Sequence, residues 1–420
     1  MEDTIPALTA PPASKDNPLT RSLAGMIGMG FLALIVVACL ASLPWTLGAV
    51  TTPGSTDTNA TPRYNAGTPK AGRLPPSWWP HADEQARRLN RLVDAQAAEQ
   101  IAKAANMPLD EALESTEGPV AGELKKRWPT YLLGTDAIGR DLFTRVLTGG
   151  GISLGIGLAA AAISVFIGTV YGSVAAYAGG KVDAVMMRIV DILYGLPYIL
   201  LVVLLAVAVD AKMEDLNAAH VRRISEQRQA WVAQALAPVT IDEAPEDRVA
   251  ELQRTALDRF GTGEMSASRR AAIDVFTLLV AIGGVSWLTM ARVVRGQVLS
   301  LKAQPFMEAA RAIGVPLRGQ FLRHLLPNLL GPIIVYTTLT VPQAILQESF
   351  LSFLGIGVKP PLPSWGNLAA DGLPELNPYQ SHWWLLLFPC LLLGTTLLAL
   401  NFVGEGLREA FDPKRRRTRA

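Results

Sequence analysis

Apolar residues in this chain come in long runs separated by stretches of mixed polarity. Six runs, at 23–43, 153–176, 189–209, 273–291, 329–350 and 383–403, reach the roughly 20 residues that a helix needs to cross a bilayer. Each is predicted to be a transmembrane helix. Scattered polar residues soften the edges of the fourth and fifth. The first run is too long for the core of a signal peptide, and no A-x-A site follows it. The Val36–Cys39 stretch, VVAC, only faintly matches a lipoprotein cleavage site, so an uncleaved anchor is expected.

The segments between the runs have their own patterns. Residues 51–80 are rich in proline, glycine and threonine and read as an extended linker. Residues 83–106 read as helix, with Leu89, Leu92, Val93 and Ile101 roughly on one stripe. Residues 210–272 are also helix-prone, with acids and bases nearly balanced. These two segments are expected to be amphipathic insertions that pack on each other or on a partner. Neither carries a nucleophile–base set or a ligand cluster, and His81 and His220 each stand alone. In the second run, Gly151-xxx-Gly155 and Gly168-xxx-Gly172 have the small-xxx-small spacing that lets helices approach closely.

Composition agrees with a membrane chain. Half of the 420 residues are hydrophobic and 18% are charged, against roughly 25% charged in ordinary globular chains; mean hydropathy is +0.27. The net charge of +2 says little by itself, but the placement of the bases says more. Between the fourth and fifth runs stand Arg292, Arg295, Lys302, Arg311, Arg318 and Arg323 against one acid, Glu308. Lys15 and Arg21 precede the first run, Lys181 and Arg188 link the second and third, and the tail at 414–419 reads KRRRTR. With six crossings all four regions fall on one side, which the positive-inside rule makes the cytoplasm. Cys39 and Cys390 lie inside apolar runs and read as small buried hydrophobes.

The sequence also excludes chemistry. No G-x-x-x-x-G-K-[ST] occurs, so the chain lacks the usual phosphate cradle for ATP, and there is no HExxH. Two acids lie close to the apolar runs. Asp191 sits near the start of the third run, before the kinking Pro197, and Glu348 near the end of the fifth. Intramembrane charges are costly and are functional candidates; both lie near run ends, where a structural or interface role is expected. A proton- or ion-coupled transporter would show more such groups at the midplane and an internal repeat.

The stretch QPFMEAARAIGVPLRGQFLRHLLPN, residues 304–328, interrupts the apolar pattern. Pro305 suits a first helical position and Glu308 a first turn. Ala309, Ala310 and Ala312 are small enough for another surface to come close. Gly314 suits the left-handed position that ends a helix. Pro316 then suits the start of a second helix that Pro327 is expected to break as the chain re-enters the membrane. A helix–turn–helix elbow is predicted.

Glu308-Ala309-Ala310, Gly314 and Leu326-Pro327, at these spacings, resemble the EAA loop of ABC-importer permeases. His324 stands where that family usually has an aliphatic residue, and His324-Leu325-Leu326-Pro327-Asn328 is similar to the peptide/nickel branch. Further blocks resemble that branch in order. They are GTDAIGRD at 134–141 followed by Arg145, GGKVD at 179–183, and MRIVD at 187–191 followed by Pro197. LSFLGIG at 351–357, SWGN at 364–367 and NFVGEGLR at 401–408 with Asp412-Pro413 complete the series.

The resemblance implies an all-α integral membrane protein of six transmembrane helices with the type I permease fold of ABC importers and helical extracytoplasmic insertions. The implied organisation is a cytoplasmic N-terminus (1–22), a first helix (23–43), an extracytoplasmic insertion (44–130), a permease core (131–413) and a basic cytoplasmic tail (414–420). The core would hold an insertion at 210–272 and a cytoplasmic coupling loop at 292–328. The implied location is the bacterial cytoplasmic membrane, with both termini inside. The chain would translocate peptides or peptide-like substrates without covalent chemistry. Its partners would be a second homologous permease, two ABC ATPase subunits, an extracytoplasmic substrate-binding protein and the lipid bilayer, with no nucleic acid. ATP and Mg would bind the ATPase subunits, and this chain would bind no cofactor and no metal. Glu308, Ala309, Ala310, Gly314, His324 and Pro327 would form the coupling loop. Asp141, Arg140, Asp191, Pro197, Glu348 and Trp365 are structural or gating candidates. The rival readings are an ion-coupled secondary transporter, which would need no ATPase, and a membrane enzyme or sensor working through its outer loops.

Overall fold

Five of the six apolar runs fold as long helices, and each is longer than its run because further turns extend it at one or both ends. The computed structural model describes residues 23–50, 61–236, 246–263 and 265–411. The N-terminal bases Lys15 and Arg21, the basic tail and Asp412-Pro413 lie outside the described residues. The long helices are α1 (Leu23–Thr46), α6 (Leu142–Ala178), α8 (Tyr198–Ala235), α10 (Ala267–Lys302), α13 (Leu326–Phe353) and α15 (Trp384–Phe411). Between α1 and α6 lie a two-residue antiparallel pairing of β1 (Ala49–Val50) with β2 (Thr61–Pro62) and four short helices. These are α2 (Asp83–Asn90), α3 (Ala95–Ala104), α4 (Leu109–Glu114) and α5 (Gly118–Lys125). The remaining helices are α7 (Gly180–Tyr194), α9 (Glu246–Phe260), α11 (Pro305–Ala312), α12 (Leu317–Gly319) and α14 (Trp365–Gly372).

The third crossing departs from the expected straight span at 189–209. α7 and α8 meet at Gly195–Pro197 with a bend of 92°. Pro197 caps the start of α8 instead of kinking a continuous helix. The apolar part of α8, 198–209, is only about 18 Å long, short of the ~30 Å hydrocarbon core. Beyond it α8 runs on as a polar arm that packs against α9 of the same insertion.

The main core lies between α6, α8, α10 and α13, around Ile156, Ala160, Leu278, Ile282 and Ile345. α6 and α10 pack along their lengths because Gly168 and Gly172 leave room. A methyl group on Gly168 would stand 2.5 Å from Met290 Cβ, and one on Gly172 would stand 2.3 Å from the Ala291 carbonyl oxygen. The other predicted pair is only half used. Gly151 lies against Leu43 of α1, but Gly155 faces open space, and Gly150 and Gly157 make the close approaches instead. Cys39 is buried as expected, whereas Cys390 is exposed on the outer face of α15. Phe166, Leu34, Leu204 and Leu398 are also more than half exposed on the bundle's outer surface, as suits lipid contact.

At one end, which we term the cap end, residues 61–80 are not a free linker. Leu74 and Ala71 are buried with Leu89, because the GTDAIGRD loop binds this segment through its backbone. Thr135 Oγ1 donates to the Ala71 carbonyl at 2.6 Å and accepts from the Leu74 amide at 2.8 Å. The predicted helix at 83–106 is two helices. Asn90 is needed as a tie, donating to the carbonyls of Leu113 and Ser115 at 3.0 Å each, and Asp94 caps α3 by accepting from the Ala97 amide. Trp78, Trp79 and Trp383 stack edge-on at this end, where an aromatic belt would meet the membrane surface.

The cap is pinned to the bundle by Arg73, whose guanidinium forms two 2.8 Å bonds to Glu375. This hydrogen bond holds the Glu375 carboxyl below its ordinary range. A depressed carboxyl contributes stability above its unfolded value and loses it as pH falls through the folded value. We therefore expect acidification below the usual glutamate range to loosen residues 61–80, by about 1 kcal/mol or less for so exposed a pair. Amide exchange of this segment should rise at acid pH, and Glu375→Gln should remove that dependence.

Candidate coupling elbow and buried polar cluster

The opposite end of the bundle carries the predicted elbow. α11 begins at Pro305 and ends where Gly314 adopts φ +73°. The Val315 amide donates to the Ala310 carbonyl and the Gly314 amide to that of Arg311, both at 3.0 Å, so the end of α11 is closed in the Schellman pattern. Met307 is buried in a cluster with Ala176, Met290, Val298 and Leu329, and Ala310 is buried as well. Ala310 therefore faces this chain's own bundle, and only Ala309 and Ala312 of the three predicted small contacts are exposed. Glu308 is exposed beside them. Phe306 at 39%, Ile313 at 79%, Leu317 at 64% and Leu322 at 60% exposure form an apolar rim around the turn.

The second arm of the elbow is not broken at Pro327. A π turn over Gln320–Leu325 carries α12 directly into α13, with Pro327 in the first turn of α13. The wider turn absorbs the amide that proline lacks, and the Asn328 side chain donates to the His324 carbonyl at 2.7 Å. His324 itself is half-buried in this turn. The elbow is locked to its neighbours by polar contacts. Lys302 donates to the carbonyls of Ala176 and Tyr177 at the C-terminus of α6, at 2.9 and 3.0 Å. Tyr177 donates to Gln320 at 2.8 Å, which in turn donates to the Val315 carbonyl at 2.7 Å.

α7 is held to α10 at the same end by two ion pairs. Asp191 accepts from Arg292 at 2.8 Å, and Asp183 takes both forks of Arg295 at 2.6 Å. Asp191 is more than half exposed, so its pair contributes little. Asp183, more buried and bidentate, is the stronger anchor. Its only mark in the sequence is its place in the GGKVD block.

The other candidates lie at the cap end. Asp136 accepts from the side chains of Arg140 and Arg145 at 2.6 Å each, and Arg140 reaches Asn65 at 3.0 Å. Asp141 caps α6 by accepting from the Thr144 amide at 3.0 Å and from its hydroxyl. Arg140 and Asp141 thus fasten the cap to the start of α6. Trp365 is fully buried at the start of α14, with its ring nitrogen donating to the Val146 carbonyl at 3.1 Å.

Beside Trp365, Glu348 is completely buried among four serines, Ser153, Ser349, Ser352 and Ser364, of which Ser349 donates to it at 3.2 Å. The Ser352 hydroxyl donates to it at 2.8 Å. Three of these hydroxyls also accept backbone amides, Ser153 from Trp365, Ser352 from Val358 and Ser364 from Asn367. Glu348 of α13 therefore lies in one buried polar cluster with Ser153 of α6 and Ser364 at the start of α14. The four serines are scattered along the sequence, and this cluster has no local sequence signal. Gly151-Ile152-Ser153-Leu154-Gly155 spells the G-x-S-x-G of hydrolases. Ser153 lies inside α6 and not on a strand-to-helix turn, and its hydroxyl accepts the Trp365 amide at 3.2 Å. The described residues contain no cluster of His, Cys, Asp and Glu that would hold a metal.

Long apolar helices and a basic elbow with an exposed apolar rim define a multi-pass membrane protein. Comparison with known families agrees: residues 168–417 match the binding-protein-dependent transport system inner membrane component family, and the chain belongs to it. It is 40% identical over 286 residues to the oligopeptide transport system permease protein OppC of Haemophilus influenzae, covering 68% of this chain and 71% of that one. It is 39% identical over 287 residues to the dipeptide transport system permease protein DppC of Bacillus subtilis, covering 68% and 70%. The OppC protein of Escherichia coli K12 is 42% identical over 286 residues, covering 68% and 73%.

Proposed function

We infer that the chain is a permease subunit of an ABC importer that carries peptides or peptide-like substrates across the cytoplasmic membrane. The observation that carries this reading is the elbow. Its inner face, Met307 and Ala310, is packed into the bundle, while its outer face presents Glu308, Ala309, Ile313 and Leu317 to a partner. A chain with no phosphate loop needs its energy from another chain, and the names of its relatives support peptides as the cargo. In this reading the elbow rests in a cleft of one of two ATPase subunits, which bind ATP and Mg, and nucleotide-driven closure moves α10 and α13. A second, homologous permease completes the path, and a substrate-binding protein docks at the cap end. The cap end would be extracytoplasmic and the elbow end, with both chain termini, cytoplasmic. Six bases against one acid between 292 and 328 support that orientation.

Purification of the complex from membranes should bring down a chain with a phosphate loop and an extracytoplasmic binding protein whose ligand is a peptide. Isolation of an active transporter without any such ATPase would favour ion coupling instead. The α8–α9 arm gives a separate expectation. Replacing residues 216–262 with a short Gly-Ser linker should weaken docking of the binding protein and leave ATPase attachment intact. Unchanged affinity for the binding protein would mean that the arm serves another partner.

A further inference from the structure

At the cap end, where α8 leaves the bundle to become the arm, a cavity of about 170 Å³ opens between α8, α10 and the loop that follows α13. Asp210 and Glu214 line it from α8, Arg270 and Asp274 from α10, and Lys359 from the loop. Three acids against two bases leave one negative charge in excess. Asp274 is only 7% exposed, yet among the described residues no group donates a hydrogen bond to it. Lys359 and Arg270 attract it through space, without contact. Lys359 is engaged instead by Asp210, to which it donates at 2.7 Å, and Arg270 is exposed. A buried carboxylate is costly unless a cation meets it.

The lining narrows the ligand. No three acids, histidines or cysteines among the described residues group closely enough to hold a metal. One buried carboxylate and a single excess negative charge suit one organic cation, an ammonium or a guanidinium, which bonds a carboxylate through its N–H groups. Met213 and Met265 line the cavity beside the charges, and a long basic side chain lays its methylenes on such apolar surface. The volume is that of about six waters, room for the side chain of one lysine or arginine. A free ammonium would have to give up both hydration and translational freedom to reach Asp274. A basic side chain on a docked protein has already lost the second and arrives at high effective concentration.

We propose that this cavity is a docking socket for one lysine or arginine of the extracytoplasmic substrate-binding protein, with Asp274 as its carboxylate anchor and the exposed Glu214 at its rim. The proposal rests on the importer reading above, in which that protein docks at the cap end, and it places one contact at the root of the arm. α10 runs from this socket to the elbow, so the anchor seats the docked protein on the helix that leads there. The rival occupant is this chain's own Arg270, one turn from Asp274 on α10.

The test measures the affinity of peptide-loaded binding protein for the whole complex in nanodiscs. Asp274→Asn should weaken it about tenfold or more, and Glu214→Gln about twofold to threefold. Neither should lower the unfolding midpoint of the complex without binding protein, because the first removes an unpaired buried charge and the second an exposed one. Unchanged affinity in Asp274→Asn, as expected if Arg270 fills the cavity, overturns the proposal. So does a loss of affinity that appears only together with a lowered midpoint. The loss should be the same for peptides with a free and with an acetylated N-terminus; a loss confined to the free amine assigns the cavity to the substrate and overturns the proposal. A photo-crosslinker on Asp274→Cys, in a chain with Cys39→Ala and Cys390→Ala, should form its adduct beside a lysine or arginine of the binding protein. Adducts with this chain or the second permease alone also overturn it. A wild-type complex that holds no binding protein at all contradicts the importer reading itself, and the proposal with it.

Discussion

With Gly314 replaced by valine, the complex is expected to reach the membrane in normal amount and to lose substrate transport. Gly314 has φ +73°, a conformation that costs an L-residue about 1–2 kcal/mol and a β-branched one more. No neighbouring atom stands within 4 Å of an added Cβ, so the penalty is conformational and confined to the turn. It opposes the two bonds that close α11, from Val315 to Ala310 and from Gly314 to Arg311, and re-aims Ile313 and Glu308. The bundle's core does not depend on that turn, so folding should survive. A shift of about 1.4 kcal/mol changes the population of the docking geometry tenfold. Gly314→Asn, which tolerates the left-handed region, should retain much of the activity. Glu308→Lys should give the same loss as Gly314→Val by placing a base on the exposed docking face. Transport by reconstituted complexes, with membrane levels measured in parallel, checks all three. Wild-type rates in both Gly314→Val and Glu308→Lys would remove the coupling role.

Glu348→Leu is expected to be among the most destabilising single changes in the chain. It removes the acceptor of the buried Ser349 and Ser352 hydroxyls and puts apolar carbon against the neighbouring Ser153 and Ser364. Three of those serines also hold backbone amides of 358, 365 and 367, so the seat of α14 and the loop before it should loosen together. Unsatisfied buried donors cost about 1–3 kcal/mol each before relaxation; a total loss of about 3–5 kcal/mol is expected. Glu348→Gln keeps one acceptor oxygen and should cost less than half as much. Thermal unfolding of the purified complex in nanodiscs should rank wild type above Glu348→Gln, and Glu348→Gln well above Glu348→Leu. Equal midpoints for the two variants would mean that the carboxyl is not the tie.

Five of the crossings can be read from apolar run length alone, because burying twenty apolar side chains in lipid dominates every local preference. The third cannot. Its apolar run continues through Gly195, Leu196 and Pro197, and hydropathy carries no information about the angle at which two halves meet. The elbow is legible because a left-handed turn demands glycine and a helix start favours proline, two local requirements that Gly314 and Pro305 meet. Pro327 misleads for a related reason. Its missing amide predicts a break, but the π turn before it supplies the slack, and π turns have no simple spelling. Ala310 resembles Ala309 in sequence and differs only in which face of α11 it occupies. The Pro- and Gly-rich stretch before residue 80 signals irregular backbone, which is not the same as loose backbone. Leu74 and the Thr135 hydroxyl bind it across 61 residues of sequence. The serine cluster around Glu348 likewise joins positions almost 200 residues apart, so only the fold assembles it.

In the proposed function the elbow delivers motion from a separate ATPase. A photo-crosslinking residue in place of Ile313, the most exposed apolar side chain of the elbow, tests it in the intact complex within native membranes. The predicted product is a covalent adduct with a chain that carries a phosphate loop, stronger or weaker as nucleotide is changed. Adducts with lipid alone, or with the extracytoplasmic binding protein, would contradict both the coupling role and the orientation on which it depends.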